Sequence, residues 1–143
     1  MKKFDIIIIG AGLYVCGKGT SGYGTILPAI FEWKRHNKNI GDIHCVSTSA
    51  KSSKEVLQKV KGLEIKTGIK VDVKTYPEND LRNHDAYKEV LKKCKNPGCA
   101  IIAVPDHLHH QIAKDCLQEG LHTLLVKPLT PTTKEGLDLV KTA

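Results

Sequence analysis

No apolar run in this 143-residue chain approaches the roughly 20 residues that a membrane-crossing helix needs. The four isoleucines after Asp5 are also too few for the core of a signal peptide. A cytoplasmic protein with no membrane partner is therefore expected. Cysteine is scarce and badly spaced for cross-linking. The five residues Cys16, Cys45, Cys94, Cys99 and Cys116 are odd in number and contain no C-x-x-C pair, which argues against a disulfide framework and a zinc ribbon. They are expected to be small buried hydrophobes. Aromatic residues are few, with two Phe, one Trp and four Tyr, so the net charge of +7 lacks the aromatic interleaving of a nucleic-acid surface. The 22 lysines and arginines are spread along the chain, which reads as a solvated basic surface that attracts anionic ligands, with no nucleic acid as partner. Repeats and low-complexity linkers are absent too.

What is present is the composition of a soluble globular domain, 41% hydrophobic and 26% charged, at a length that suits a single domain over residues 1–143. Strand and helix signals alternate. Phe4 to Ile9 is a continuous apolar run, as in a strand buried on both faces, and it ends in Gly10-Ala11-Gly12. A helix is expected from Thr25 to His36, with Pro28 in its first turn and Ile26, Ile30 and Trp33 at helical spacing. Ile43 to Val46 reads as a second strand. Ser52 with Glu55 forms a capping-box pattern for a short helix with Val56, Leu57 and Val60 on its buried face, stopped by Gly62. Val71 to Tyr76 is the third strand. A helix from Asp85 to Lys95 follows, ended by Pro97-Gly98. Cys99 to Val104 is the fourth strand, and Asp106 is the expected cap of a helix closed by Gly120. Thr123 to Val126 is the fifth strand, and Thr132 with Glu135 caps a last helix. This order predicts an α/β, Rossmann-like, doubly wound parallel sheet with helices on both faces, three layers in all. The last helix has no strand to return to, which predicts a longer protein with a further domain.

A parallel sheet binds its ligand at the carboxyl ends of its strands. Gly10 and Gly12 stand there, where a tight turn and the lack of a Cβ let a diphosphate approach the backbone of Gly10, Gly12, Leu13 and Tyr14. Val15 occupies the third fingerprint position, normally Gly or Ala, and Gly17, Gly19, Gly22 and Gly24 extend the loop. Either Gly22 or Gly24 is expected to supply the close helix packing, with Lys18 in reach of phosphate. After the second strand a carboxylate usually holds the ribose 2′-hydroxyl of NAD. Here Ser47, Thr48, Ser49 and Lys51 offer hydroxyls and a cation instead, which favours NADP while leaving NAD open.

The stretch from Ala100 to Leu139 carries Val104-Pro105-Asp106-His107-Leu108-His109, then Gly120-Leu121-His122, then Lys127-Pro128-Leu129. Together with Leu27-Pro28-Ala29, it resembles the glucose–fructose oxidoreductase, inositol dehydrogenase and rhizopine-catabolism family (Gfo/Idh/MocA). That family shows an A-T-P-N-x-x-H turn, a helix, G-K-H-V and the motif E-K-P. The resemblance implies NAD(P)-dependent hydride transfer at a sugar, cyclitol or related hydroxyl carbon. It places Lys127 as the lysine near nicotinamide and substrate, and Pro128 as a cis proline. Val104, Pro105 and His107 would border the cofactor. The proton-transfer pair and any homo-oligomer interface are expected in a second domain, so residues 1–143 alone are expected to be inactive. Val126, Val104 and Asp106 depart from the family's glutamate, threonine and asparagine.

His107, His109 and His110 form a cluster without a carboxylate or cysteine pattern to complete a tetrahedral site, so no metal is expected. His107 is instead expected to line the pocket. A non-catalytic dinucleotide sensor of the same fold stands as the alternative function.

Overall fold

The computed structural model describes residues 3–79, 81–94 and 98–143. The first strand, β1 (Phe4–Ile9), explains why the sheet must be covered twice. Its isoleucines alternate: Ile6 and Ile8 enter one core and Ile7 and Ile9 the other. A strand with both faces apolar is stable only between two helical layers. The remaining strands are β2 (Ile40–Val46), β3 (Val73–Tyr76), β4 (Gly98–Ile102) and β5 (His122–Leu125). They form one sheet of order β3-β2-β1-β4-β5, with every pair parallel. The order reverses at β1, and the crevice between the carboxyl ends of β1 and β4 is where such sheets take their ligands.

The helices are α1 (Leu13–Cys16), α2 (Ile26–His36), α3 (Ala50–Thr67), α4 (Ala86–Leu91), α5 (His109–Gln118) and α6 (Thr133–Thr142). Leu27, Ile30 and Phe31 of α2 and Val56, Val60 and Leu63 of α3 cover one face of the sheet. Tyr87, Val90 and Leu91 of α4 and Ile112, Ala113 and Cys116 of α5 cover the other. No helix among the described residues is long and apolar enough to cross a membrane.

Several local expectations need correction. The glycine stretch contains a single helical turn, α1, closed by Gly17 in the left-handed region at φ 70°. The third helix begins at Ala50, two residues before Ser52: Ser49 is its cap and accepts the Ser52 N–H, so the Ser52–Glu55 capping box does not form. Gly62 does not stop that helix, which runs on to Thr67 and Gly68. The Tyr23 ring fills the space where a Cβ on Gly62 would project. Leu57, expected on the buried face, is 44% exposed. Asp106 opens a 3-10 turn (Asp106–Leu108) rather than capping α5 directly. The fourth helix spans only Ala86–Leu91, and its expected end at Lys95 and Pro97 lies outside the described residues. Strand ends shift by one to three residues. Thr132 and Glu135 do form the expected reciprocal capping box on α6.

Candidate functional site

The site grows out of the end of β1. Gly10 accepts a positive φ of 120° and donates its N–H to the Val46 carbonyl at 2.8 Å. A Cβ there would collide with the Ala103 carbonyl, so the fold itself requires this glycine. Gly12 differs. Its φ of −91° and ψ of −160° are extended backbone open to any residue. A Cβ on it would meet no atom within 4 Å. The chain does not need glycine at 12 for its own packing, whereas a bulky group lying on the backbone does.

Gly10 lies on a cavity of about 640 Å³ at the carboxyl ends of β1, β2 and β4, a size suited to a small-molecule ligand. Residues from Ile9 to Tyr14 and from Ala103 to Asp106 line it. Lys18, Ser47, Thr48 and Ser52 form one flank, and Val126 and Lys127 another. Asp85, Tyr87, Lys88 and Gln111 contribute from the helices behind β4 and before it.

The long glycine loop is pinned. Gly24, at φ 73°, packs so closely on the Leu13 and Tyr14 carbonyls that a Cβ would not fit, whereas Gly22 has no such backbone contact. The close packing expected of one of them thus belongs to Gly24. Thr25 donates its N–H to the Tyr14 carbonyl at 2.8 Å. From α3 the Lys59 ammonium donates to the carbonyls of Thr20 at 2.7 Å and Gly22 at 2.6 Å. The loop thereby delivers Lys18 to the start of α3, where its Nζ donates to Ser52 Oγ at 2.9 Å and pairs with Glu55 at 3.4 Å.

At the other end of the cavity His109 joins two segments. Its Nδ1 lies 2.7 Å from the Pro128 carbonyl and its Nε2 3.0 Å from the Val104 carbonyl, and the ring is 1% exposed. The Lys127–Pro128 peptide is cis. His109 therefore ties the turn after β5 to the exit of β4, while Lys127 stays exposed on the cavity wall. His110 stands apart: it shares Asp138 of α6 with Lys114, at 2.7 and 2.8 Å.

Of the residues singled out in the sequence, Gly10, Gly12, Leu13, Tyr14, Thr48, Val104, Pro105 and Lys127 converge on this cavity. Ser49, Lys51, His107 and Pro128 are not on its lining. Ser49 caps α3, Lys51 is exposed in the first turn of that helix, and His107 is exposed in the 3-10 turn. Pro128 is exposed and reaches the site through its carbonyl bond to His109. Sequence reasoning missed His109, although the spacing of His109, Ile112, Ala113 and Cys116 already places it on the buried stripe of α5. It also missed Lys88 and Tyr87, whose approach depends on contacts distant in sequence. Burial, then the hydrogen bond to Asp115 at 2.6 Å, pushes the Tyr87 phenol well above the ordinary tyrosine range, so it stands as a neutral donor.

The family model for the Gfo/Idh/MocA oxidoreductases, described as having an NAD-binding Rossmann fold, matches residues 4–143. Solved structures share the fold. The 3-ketoreductase KijD10 from Actinomadura kijaniata, solved with NADP and TDP-benzene, is 17% identical, with a TM-score of 0.61 over 99% of this chain and 34% of its own. The WlbA dehydrogenase of Bordetella pertussis, solved with NADH and UDP-GlcNAcA, is 15% identical, with a TM-score of 0.56 over 99% of this chain and 33% of its own. The myo-inositol 2-dehydrogenase of Lactobacillus plantarum is 17% identical, with a TM-score of 0.59 over 99% of this chain and 33% of its own. The chain thus spans about a third of the length of these proteins. No curated protein sequence matches it.

Proposed function

The chain belongs to the Gfo/Idh/MocA family of oxidoreductases with an NAD-binding Rossmann fold, and on that premise we propose that it holds the nicotinamide dinucleotide of an enzyme acting on a sugar, a cyclitol or a related hydroxyl carbon. The observation that carries the proposal is Gly12, a glycine whose backbone and surroundings demand no glycine, facing a cavity at the switch point of the sheet. In this reading the backbone from Gly10 to Tyr14 receives the diphosphate. Ser47 and Thr48 face the adenosine ribose, and Val104 and Pro105 border the nicotinamide. Lys127 is the catalytic candidate: it is exposed on the cavity wall, and the His109 link fixes the turn that carries it. Ser49 acts only through its cap on α3.

The bound dinucleotide supplies the hydride donor or acceptor, and the chain's contribution is to bind and orient it. The relatives described above were solved with NADH in one case and NADP in another. For this chain we favour NADP, because Ser47 and Thr48 present no carboxylate to a 2′-phosphate. The substrate wall and the proton-transfer partners are proposed to come from a further domain. Calorimetric titration of the chain with NAD+ and NADP+ tests the binding step, and absence of binding by both would refute it. Hydride transfer by the protein carrying both domains, over a panel of sugars and cyclitols, tests the reaction. Dinucleotide binding with no turnover on any of them would favour a sensor.

A further inference from the structure

The flank of the cavity beside the end of β2 holds a charged assembly built from two distant segments. Lys18 comes from the glycine loop after α1, and Ser52 and Glu55 from the first turns of α3, 34 and 37 positions later. The loop is not a loose strap. Gly17 and Gly24 both hold positive φ and pack against backbone, and Lys59 clamps the carbonyls of Thr20 and Gly22. The backbone that carries Lys18 is therefore placed by the fold, and Ser52 and Glu55 meet its ammonium.

An ammonium has three N–H groups; Ser52 Oγ accepts one of them, and the Glu55 carboxylate lies beside the charge as an ion pair. Glu55 Oε2 is buried without a hydrogen bond, and the Lys18 charge at 3.4 Å is its compensation. The Ser52 hydroxyl in turn accepts from Ser49 Oγ at 3.2 Å, which fixes it as well. Lys18 and Ser52 both line the cavity, together with Ser47 and Thr48 at the end of β2, the strand end that lies beside the adenosine ribose in this type of sheet. Lys51, the other cation at this corner, is outside the cavity lining.

We propose that Lys18, held by Ser52 and Glu55, is the residue that selects the cofactor, its ammonium contacting the 2′-phosphate of NADP. The assignment rests on the dinucleotide reading given above and deepens it. The physical logic is one of opposed charges. A 2′-phosphate gains a charge-assisted bond from Lys18, while a 2′-hydroxyl gains far less from the same ammonium. Glu55 holds the lysine in place but repels the incoming phosphate, so it sets the limit on selectivity.

The probes are adenosine 2′,5′-bisphosphate and AMP, which differ only in the 2′-phosphate, together with NADP+ and NAD+. The wild-type chain is expected to bind each 2′-phosphorylated probe about 10- to 100-fold more tightly than its partner, the range of one charge-assisted contact. Lys18→Met keeps most of the stem and removes the charge, and it should abolish that ratio by weakening the 2′-phosphorylated probes far more than AMP and NAD+. Lys51→Met should preserve the ratio. Glu55→Gln should raise NADP+ affinity several-fold, with Ser52 still holding Lys18. Circular dichroism checks that each variant is folded. If Lys18→Met weakens NAD+ and NADP+ equally, or neither, the assignment of Lys18 fails while the dinucleotide site stands. If no probe binds the wild-type chain, the site itself fails and Lys18 with it.

Discussion

Replacing His109 by Phe keeps a ring of similar size in a position that is 1% exposed, and removes both nitrogens that face the carbonyls of Val104 and Pro128. The cost follows from counting donors. A neutral imidazole has one N–H, so it donates to one of these two carbonyls and turns a ring lone pair toward the other. A buried acceptor left without its donor costs about 1–3 kcal/mol. Val104 is half-buried and Pro128 exposed, so water recovers part of the loss at the second carbonyl. The expected destabilisation is about 1–3 kcal/mol, or roughly 3–10 °C in Tm for a chain of this size. His109→Gln, whose amide nitrogen carries two N–H groups, should recover part of it. Because the same bonds join the Lys127–Pro128 turn to the exit of β4, His109→Phe should also weaken dinucleotide binding at the temperatures where it remains folded. Urea unfolding monitored by circular dichroism gives the stability. A His109→Phe variant within about 0.5 kcal/mol of wild type would refute the clamp, since losing a buried donor costs more than that.

Two further outcomes follow from buried groups. Burial, more than any neighbouring charge, holds the His44 imidazole below the ordinary histidine range. The unfolded chain therefore takes up a proton first as pH falls, and this contribution to stability is intact above about pH 6.5 and is lost below it. The drop in urea midpoint from about pH 7.5 to about pH 5.5 should shrink in His44→Gln, and an unchanged drop would contradict the argument. Burial also pushes the thiols of Cys45 and Cys116 up to about 12, and raises that of Cys16. Iodoacetamide at neutral pH should leave these three unmodified in the native chain and label them in urea, as read by mass spectrometry. Fast labelling of Cys45 without denaturant would show that its core is open.

The layers of the fold were legible because their signals are local. The run from Phe4 to Ile9 needs two apolar faces, and Thr132 with Glu135 carries its cap within four residues. The errors fall where distant segments decide. Both Ser49–Ser52 and Ser52–Glu55 have the spacing of a cap, and the pairing of Ser52 and Glu55 with Lys18, from a loop far upstream, accompanies the choice of the first. Gly62 reads as a stop until Tyr23 is seen to fill the space beside it. The site divides in the same way. Gly10, Gly12, Val104 and Lys127 could be read from strand ends, because a parallel sheet gathers those ends at one edge. His107 is expected from the resemblance alone, whereas the spacing of the apolar stripe of α5 points to His109, with His107 in the 3-10 turn before that helix. Lys51 stands out in the sequence for its place after β2, whereas Lys18, which lines the cavity at that corner, comes from a loop held by Lys59 of α3.

Gly12→Val tests the central claim most directly, since the new side chain projects into space that no atom of the chain occupies and the backbone there tolerates any residue. Calorimetric titration with NADP+ and NAD+, alongside thermal unfolding, should show Tm unchanged within about 2 °C and affinity for both dinucleotides reduced by at least about tenfold. Undiminished binding of either dinucleotide by the folded variant would contradict a diphosphate lying on the backbone at Gly12.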